Sequence, residues 1–165
     1  MAKCRGCDST NLKLLLDLGD QPWCNDFLDK EEVGKENSYP LRFCSCTDCG
    51  LLQLDYTVPK ETMFGNHKYL SGMTQTLSNH FYEVAEENVE QFDIQQDDLI
   101  VDIGGNDGSQ LKQYQKLGCD NVLNIESALV VSDIAREDGV PTLTEFFNEE
   151  VANEHLGKDS VKLYN

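Results

Sequence analysis

The sequence has neither a long hydrophobic run nor a secretory signal. Its longest apolar stretch, Leu12 to Leu18, is interrupted by Lys13 and Asp17, whereas a membrane-spanning helix needs about 20 apolar residues. The opening residues, Met1 to Cys4, do not begin the apolar segment of a signal peptide. These absences predict a cytoplasmic protein that has no membrane partner.

Basic residues are also scarce. Thirteen Lys and Arg side chains stand against 30 Asp and Glu side chains, which gives a formal net charge of −17. Residues 1–55 share the imbalance, with six basic and ten acidic side chains. Because such a surface repels phosphate backbones, the composition argues against nucleic acid as a partner.

The chain contains no internal repeat and no low-complexity tract, and its residue patterns divide it into three segments. Residues 1–58 show only short strand-like stretches among many cysteines, which predicts a small domain that needs a covalent or metal staple. Residues 59–98 carry apolar side chains at helical spacing between Thr74 and Phe92, which predicts a helical connector. Residues 99–165 alternate strands with helices, a pattern typical of a parallel sheet covered by helices.

The strands and helices predicted in the third segment follow one another with short connections. They are a strand Leu99–Ile103, a helix Ser109–Leu117, a strand Asn121–Ile125, a helix Ala128–Glu137, a short strand Val140–Leu143, a helix Phe146–His155 and a strand beginning at Val161–Tyr164.

Six of the seven cysteines lie within the first 49 residues. In an intracellular chain this clustering favours metal binding or catalysis over disulfides. Two CxxC pairs are present, and a CxxC turn presents two thiolates to one side of a Zn²⁺ ion. Four thiolates close the coordination sphere, so we predict a structural zinc ion. Its predicted ligands are Cys4, Cys7, Cys46 and Cys49.

The other cysteines leave alternatives open. Cys44 lies two residues before Cys46 and could replace it as a ligand, although the CxxC spacing favours Cys46. Cys24 and Cys119 lack partners at ligand spacing and are interpreted as packing residues. The competing interpretation of the whole set is a group of buried or reactive thiols.

A glycine-rich turn follows the first predicted parallel strand and precedes a helix, where open α/β sheets bind their cofactors. It lacks the GxGxxG spacing of dinucleotide sites, and its carboxylates would repel a pyrophosphate. They suit S-adenosylmethionine (AdoMet), which carries a sulfonium and an ammonium and no phosphate. The predicted cofactor-binding residues are Asp102, Gly104, Gly105, Asn106, Asp107, Gly108 and, as acceptor of the two ribose hydroxyls, Glu126. The alternative is a turn that binds no ligand.

Taken in order, these motifs resemble the N-terminal portion of the sugar C-methyltransferases that act on nucleotide-linked deoxysugars. The resemblance covers essentially all 165 residues. It rests on Cys4-x-x-Cys7, Leu18-Gly19-Asp20-Gln21-Pro22 with Asn25, Tyr39-Pro40-Leu41, Cys46-x-x-Cys49-Gly50-Leu51-Leu52-Gln53-Leu54, Tyr69-Leu70-Ser71 and Asp102-Ile103-Gly104-Gly105-Asn106-Asp107-Gly108.

The resemblance implies a zinc-binding domain followed by a Rossmann-like class I AdoMet methyltransferase domain, and a further domain that helps to hold a nucleotide-sugar substrate. In that family a base removes a proton next to a ketone, and the resulting enolate carbon takes the methyl group of AdoMet. The resemblance also implies that residues 99–165 form an incomplete sheet and that the catalytic residues lie beyond Asn165. The chain would then be a fragment or a natural truncation, and a protein partner could cover the incomplete sheet.

Two histidines and one competing function complete these expectations. The family shows a Tyr-rich stretch where this chain has His67-Lys68-Tyr69, and we interpret His67 as a surface residue, with a polar active-site group as the alternative. We interpret His80 as structural.

The competing function is a catalytically silent zinc-binding interaction module or half of a split enzyme. The sequence identifies neither the sugar, nor the methylated carbon, nor the oligomeric state.

Overall fold

The computed structural model describes residues 2–24, 28–65, 69–158 and 160–165. The chain forms two compact units, Met1–Met63 and Phe64–Asn165. The sequence divided the chain into three segments, and their boundaries are still predictions. The helix Gln75–Gln91, expected in the connector, belongs to the second unit. Within the described ranges, no helix has the length and apolar character needed to cross a membrane.

The first unit is built on a three-stranded antiparallel sheet. Its strands are β1 (Leu12–Pro22), β2 (Ser38–Cys46) and β3 (Leu52–Leu54), in the order β1-β2-β3. The short helix α1 (Lys60–Phe64) begins at the end of this unit. The second CxxC pair closes the turn between β2 and β3, where the amide of Gly50 donates to the carbonyl of Cys46 over 2.9 Å. Gly50 has φ of 79°, a backbone conformation that favours glycine.

The second unit is built on a four-stranded parallel sheet. Its strands are β4 (Leu99–Ile103), β5 (Val122–Ile125), β6 (Thr142–Leu143) and β7 (Val161–Tyr164), in the order β6-β5-β4-β7. All neighbouring pairs are parallel. The chain first moves outward from β4 to β5 and β6, then returns to place β7 on the other side of β4. Ligands of open α/β sheets bind at such a reversal, outside the carboxyl ends of the strands.

Helices and a 3-10 turn connect these strands. They are the turn Ser71–Met73 and the helices α2 (Gln75–Gln91), α3 (Leu111–Lys116), α4 (Leu129–Glu137) and α5 (Glu149–His155). Side-chain caps start two of the helices, because Thr74 accepts from the amide of Leu77 and Asn148 accepts from that of Val151. The Asn148 cap explains why α5 begins three residues later than the sequence pattern predicts.

The apolar core of the second unit lies on both faces of its sheet. On one face, buried Ile100, Leu111 and Tyr114 pack with Ala85 of α2. The amide of Asn88 donates to the phenol oxygen of Tyr114 over 2.7 Å, which ties α2 to α3. On the other face, buried Val101 and Ile125 pack with α5. The predicted alternation of strands and helices is therefore observed, and the parallel sheet is consistent with a Rossmann-like fold.

Candidate functional site

The four predicted zinc ligands lie together at one end of the first unit. The sulfurs of Cys4, Cys7, Cys46 and Cys49 are all within 4.8 Å of one another. The Sγ atoms of Cys4 and Cys49 are 3.5 Å apart, and those of Cys7 and Cys46 are 3.7 Å apart. Four sulfurs arranged as a tetrahedron around Zn²⁺ at about 2.3 Å lie about 3.8 Å from each other. The sulfur arrangement therefore fits a closed, four-thiolate zinc site.

Hydrogen bonds from the backbone and the closeness of the four thiols change the pKa values of these cysteines. Backbone amides of Cys49 and Asp48 lower the pKa of Cys46 to about 7, against the opposing effect of burial. The amide of Gly6 lies 3.4 Å from the sulfur of Cys4. Although an amide hydrogen bond from Ser9 lowers the pKa of Cys7, the neighbouring thiols raise it to about 12. Sulfurs this close cannot all ionise unless a cation lies between them, because their negative charges repel.

A buried glutamine ties the first CxxC turn to β3, and an acidic side chain ties the second CxxC turn to the residues that follow the first. Gln53 of β3 is 6% exposed, accepts from the amide of Arg5 over 3.0 Å and donates to the carbonyl of Lys3 over 3.0 Å. Asp48 accepts from the hydroxyl of Ser9 over 2.5 Å and from the side-chain amide of Asn11. The hydrogen bond from Ser9 is the main reason that the pKa of Asp48 is lowered.

Three cysteines lie outside the four-sulfur cluster. Cys44 is buried on β2 and is not part of the four-sulfur group, so Cys46 holds the ligand position that the spacing favours. Burial raises the pKa of the Cys44 thiol, which suits a packing role. Cys119 is buried in the core of the second unit, as expected of a packing residue, whereas Cys24 is exposed and its interpretation as a packing residue is wrong.

In the second unit, the glycine-rich turn leaves β4 at the carboxyl edge of the sheet. Asp102, the fourth residue of β4, is 6% exposed. Burial raises its pKa, a hydrogen bond from Asn165 lowers it, and the charge of Glu126 raises it further. A Cβ atom on Gly105 would lie 2.5 Å from Oδ1 of Asn124 and 2.7 Å from Cγ of Asp102, so only glycine fits there.

Glu126 directly follows β5 and faces the same turn. Its Oε2 accepts from the backbone amide of Asn106 over 3.1 Å, and its Oε1 accepts from that of Ala128 over 2.8 Å. The carboxylate is 8% exposed and is held in one orientation by these two bonds. Oε1 also accepts from the hydroxyl of Ser127 over 3.4 Å, so the carboxylate keeps one acceptor position, on Oε2. Asp102 and Glu126, distant in sequence, are thus brought to one edge of the sheet.

Asn106 and Asp107 have a role that the sequence pattern did not reveal. The side chain of Asn106 accepts from the amide of Ser71 over 3.0 Å and donates to the carbonyl of Tyr69 over 2.9 Å. Asp107 accepts from the amide of Gly72 over 2.8 Å and from that of Ser109 over 3.1 Å. Together they fix the segment 69–72 against the glycine-rich turn. We name this segment the clasp.

Two adjoining recesses open at this edge of the second unit. The larger, about 470 Å³, is lined by residues of the clasp, the glycine-rich turn and the two strand ends, including Glu126, Glu145, Phe146 and Phe147. The smaller, about 180 Å³, includes Asp102, Gly105 and Asn165. Ser71 and Gly104 line both. The aromatic pair Phe146–Phe147 was missed from the sequence, where it reads as the start of a helix.

The other residues predicted from the sequence do not line these recesses within the described part of the chain. Gly108 lies against Val140, which a Cβ atom on the glycine would approach to 2.9 Å. Asp107 and Gly108 line neither recess within the described residues. His80 is exposed on α2 beside Phe81, with 6.4 Å between ring centroids. The interpretation of His67 concerns a position outside the described residues.

The chain is similar in sequence to known proteins. Residues 4–64 match the methyltransferase family model described as "Putative zinc binding domain". Over 153 residues, the chain is 26% identical to the C-methyltransferase NovU of Streptomyces niveus, an alignment that covers 92% of this chain and 36% of that protein. The chain thus spans about a third of the length of the curated relative that it matches. These matches confirm the resemblance to the N-terminal portion of a methyltransferase with a zinc-binding domain.

Proposed function

We propose that this chain, as a relative of the front part of a C-methyltransferase, binds AdoMet at the carboxyl edge of its parallel sheet and holds zinc in its first unit for structural reasons. One observation carries the proposal. Two buried carboxylates, Asp102 and Glu126, flank a glycine turn at the point where the strand order reverses. Such a reversal is where a cofactor binds in this class of sheet.

The charge of the two recesses favours a cationic cofactor. Their described lining residues include the carboxylates of Asp102, Glu126 and Glu145 and no Lys, Arg or His side chain. A dinucleotide or another phosphate ligand would be repelled there. AdoMet carries a sulfonium and an ammonium, and both are attracted by carboxylates.

The shape and donor set of the larger recess also fit AdoMet. Oε2 of Glu126 keeps an acceptor position for a ribose hydroxyl, and backbone amides already hold both carboxylate oxygens in place. The rings of Phe146 and Phe147 offer an apolar surface to a flat purine. Glycine at position 105 keeps the turn in its place against Asp102 and Asn124, because any larger residue would collide with these two side chains.

When bound, AdoMet supplies an electrophilic methyl group. The residues of this chain bind it, orient it through Glu126 and the glycine turn, and shield it with the clasp. The zinc ion has no open coordination position when four thiolates hold it, so it stabilises the first unit and takes no part in the methyl transfer. The proposed methyl acceptor is a carbon next to a ketone in a nucleotide-linked deoxysugar, the class implied by the family resemblance.

A protein-binding role is the second candidate, and one observation favours it. On β1, the side chains of Leu14, Leu15, Leu16 and Leu18 are each about half exposed, with relative accessibilities between 49% and 52%. Exposed apolar side chains along an edge strand are typical of an interface. This role does not require AdoMet binding, so a single binding measurement separates the two candidates.

The test is calorimetric titration of the zinc-loaded chain with AdoMet and, separately, with NAD⁺. We expect AdoMet to bind and NAD⁺ not to bind, because only NAD⁺ carries a pyrophosphate. Glu126→Gln is expected to weaken AdoMet binding at least tenfold, since hydrogen bonds to a charged group contribute about 1.5–3 kcal/mol each. Glu137→Gln, which removes an exposed carboxylate at the end of α4, serves as the matched control. A folded, zinc-loaded chain that binds no AdoMet would favour the interaction module.

A further inference from the structure

Asn124, the third residue of β5, is a fully buried polar side chain beside the glycine-rich turn. In the sheet register it lies between Asp102 of β4 and Thr142 of β6. These three residues form a polar row across three strands, near the carboxyl edge of the sheet. Burial of an amide is costly unless it is hydrogen-bonded, so a fully buried Asn requires a structural or functional reason.

The amide nitrogen of Asn124 holds the turn. Its Nδ2 donates to the carbonyl of Asn106 over 3.0 Å and, more weakly, to the hydroxyl of Thr142 over 3.4 Å. The backbone amide of Asn106 donates in turn to Oε2 of Glu126 over 3.1 Å. Asn106 has φ of 54°, a conformation that is uncommon for residues other than glycine. Its carbonyl is thus fixed by Asn124 and its amide by Glu126.

The oxygen of the same side chain has no partner. Among the described residues, Oδ1 of Asn124 is a buried side-chain atom that accepts no hydrogen bond. Reversing the amide would place this oxygen against the carbonyl oxygen of Asn106 at the same 3.0 Å, and two acceptors repel. In the observed orientation, Oδ1 and the carboxylate of Asp102 both lie within 2.7 Å of the point that a Cβ atom on Gly105 would occupy. An unpartnered buried acceptor lowers stability, so Asn124 makes its bond to the turn at a cost to folding.

Asn106 also connects this arrangement to the clasp. Its side chain bonds to the backbone of Tyr69 and Ser71. Its own backbone bonds to Asn124 and Glu126. A change at Asn124 therefore acts on three parts of the larger recess, which are the glycine-rich turn, the carboxylate of Glu126 and the clasp. It does so without any contact between Asn124 and the ligand.

We propose that Asn124 is a positioning residue of the AdoMet site, which sets the glycine-rich turn and Glu126 for the cofactor through its bond to the carbonyl of Asn106. The assignment rests on the proposed function, in which AdoMet occupies the larger recess. A merely structural Asn would stabilise the fold and leave the affinity of the folded chain for the cofactor unchanged. A positioning residue changes the affinity of the folded chain.

The variant Asn124→Asp keeps the shape of the side chain and makes its bond to the turn depend on a proton. A protonated carboxyl can donate to the carbonyl of Asn106, whereas an ionised carboxylate only accepts and repels that carbonyl. The turn and the elements beside Asn124 carry buried titratable side chains, none of them a cation, namely Asp102, Asp107, Tyr114, Cys119 and Glu126. Because burial and these acidic neighbours disfavour a further negative charge, the pKa of the introduced carboxyl should lie above its usual range.

The test is calorimetric titration of the zinc-loaded chain and its variants with AdoMet at several pH values. At high pH, Asn124→Asp should bind AdoMet about tenfold or more weakly than the wild-type chain, because the bond to the turn is lost. The ratio of variant to wild-type affinity should then rise as pH falls and the introduced carboxyl takes up a proton. Asn153→Asp, at an exposed position of α5, is the matched control and should follow the wild-type chain at every pH.

A second variant removes the donor without adding charge or bulk. Asn124→Ala should weaken AdoMet binding about tenfold, and the ratio of its affinity to that of the wild-type chain should not recover at low pH. Folding of each variant is followed by amide hydrogen exchange without ligand. If Asn124→Asp does not fold at high pH, Asn124→Ala decides the question.

The outcomes separate this role from the proposed function. A wild-type chain that binds no AdoMet refutes the proposed function and the positioning role with it. A wild-type chain that binds AdoMet, beside folded Asn124 variants that bind it equally well, refutes the positioning role alone. An affinity ratio for Asn124→Asp that does not depend on pH also refutes the positioning role, since the proton would then make no difference to the turn.

Discussion

Removal of zinc should unfold the first unit while the second unit stays folded. Within the described part of the first unit, four side chains are buried, namely Cys4, Cys44, Cys46 and Gln53. Two of these are predicted zinc ligands, and Gln53 joins the first CxxC turn to β3. No Leu, Ile, Val or Phe side chain of the described residues is buried there. The unit therefore lacks an apolar core that could hold it together without the metal.

The magnitude follows from the size of the unit. A compact unit of 63 residues has a free energy of unfolding of about 3–9 kcal/mol, at roughly 0.05–0.15 kcal/mol per residue. Binding of structural zinc by four-ligand peptides contributes about 10–16 kcal/mol at neutral pH. The contribution of the metal exceeds the whole stability expected for the unit, so the metal-free form should be unfolded.

The assay compares the zinc-loaded protein with protein treated with a strong chelator. Zinc content is measured by atomic emission, and folding of each unit is followed by amide hydrogen exchange. We expect one zinc ion per chain, and loss of protection in residues 2–63 after chelation. Cys46→Ser should reproduce the effect. Cys24→Ser, which changes an exposed cysteine outside the cluster, should retain the zinc and the protection.

Amide protection of β1 and β2 that survives complete removal of zinc would refute this reasoning. It would show that hydrogen bonding across the antiparallel sheet and partial burial of the leucines suffice for folding. A stoichiometry of one zinc that Cys46→Ser leaves unchanged would refute the ligand assignment separately.

Two further predictions concern the second unit. Because burial raises the pKa of Asp102 and a bound cation favours its ionised form, AdoMet binding should release a proton and weaken as pH falls through that raised pKa. Calorimetry in buffers of different ionisation enthalpy should show this release, and Asp102→Asn should abolish it; unchanged release in that variant would rule out the assignment. Gly105→Ala should abolish AdoMet binding and cost about 1–3 kcal/mol of stability, because its methyl group would overlap Asn124 and Asp102. Gly139→Ala, with φ of 85° and open space around the glycine, should lower the melting temperature and leave binding unchanged; equal loss of binding in both would contradict the steric argument.

Local sequence patterns predicted the elements of the second unit because each element buries a recognisable set of side chains. The run Leu99–Ile103 is apolar enough to be a central strand, and the structure has a strand with these bounds. The observed ends of two elements differ from the predicted ends. The predicted helix Phe146–His155 begins at Glu149 because Asn148 caps it, and the predicted strand Val140–Leu143 is reduced to Thr142–Leu143.

The candidate site was only partly predictable. Cysteine spacing indicated the metal cluster, since a CxxC turn positions two sulfurs whatever the rest of the chain does. The glycine turn and Glu126 were also found from spacing, because consecutive parallel strands place their ends side by side. The clasp was not predicted, because its hydrogen bonds join residues 35 to 37 positions apart. No local sequence pattern indicates which backbone group a buried Asn or Asp will bond.

The sequence by itself therefore predicted the cluster of four sulfurs, the order of strands and helices, and the acidic character of the turn after β4. These depend on the identity and spacing of near neighbours. Tertiary structure alone decided that Asn106 and Asp107 bond to the clasp, and that Phe146 and Phe147 line the same recess as Glu126. Those arrangements depend on which distant segments pack together, and packing is set by the whole core of each unit.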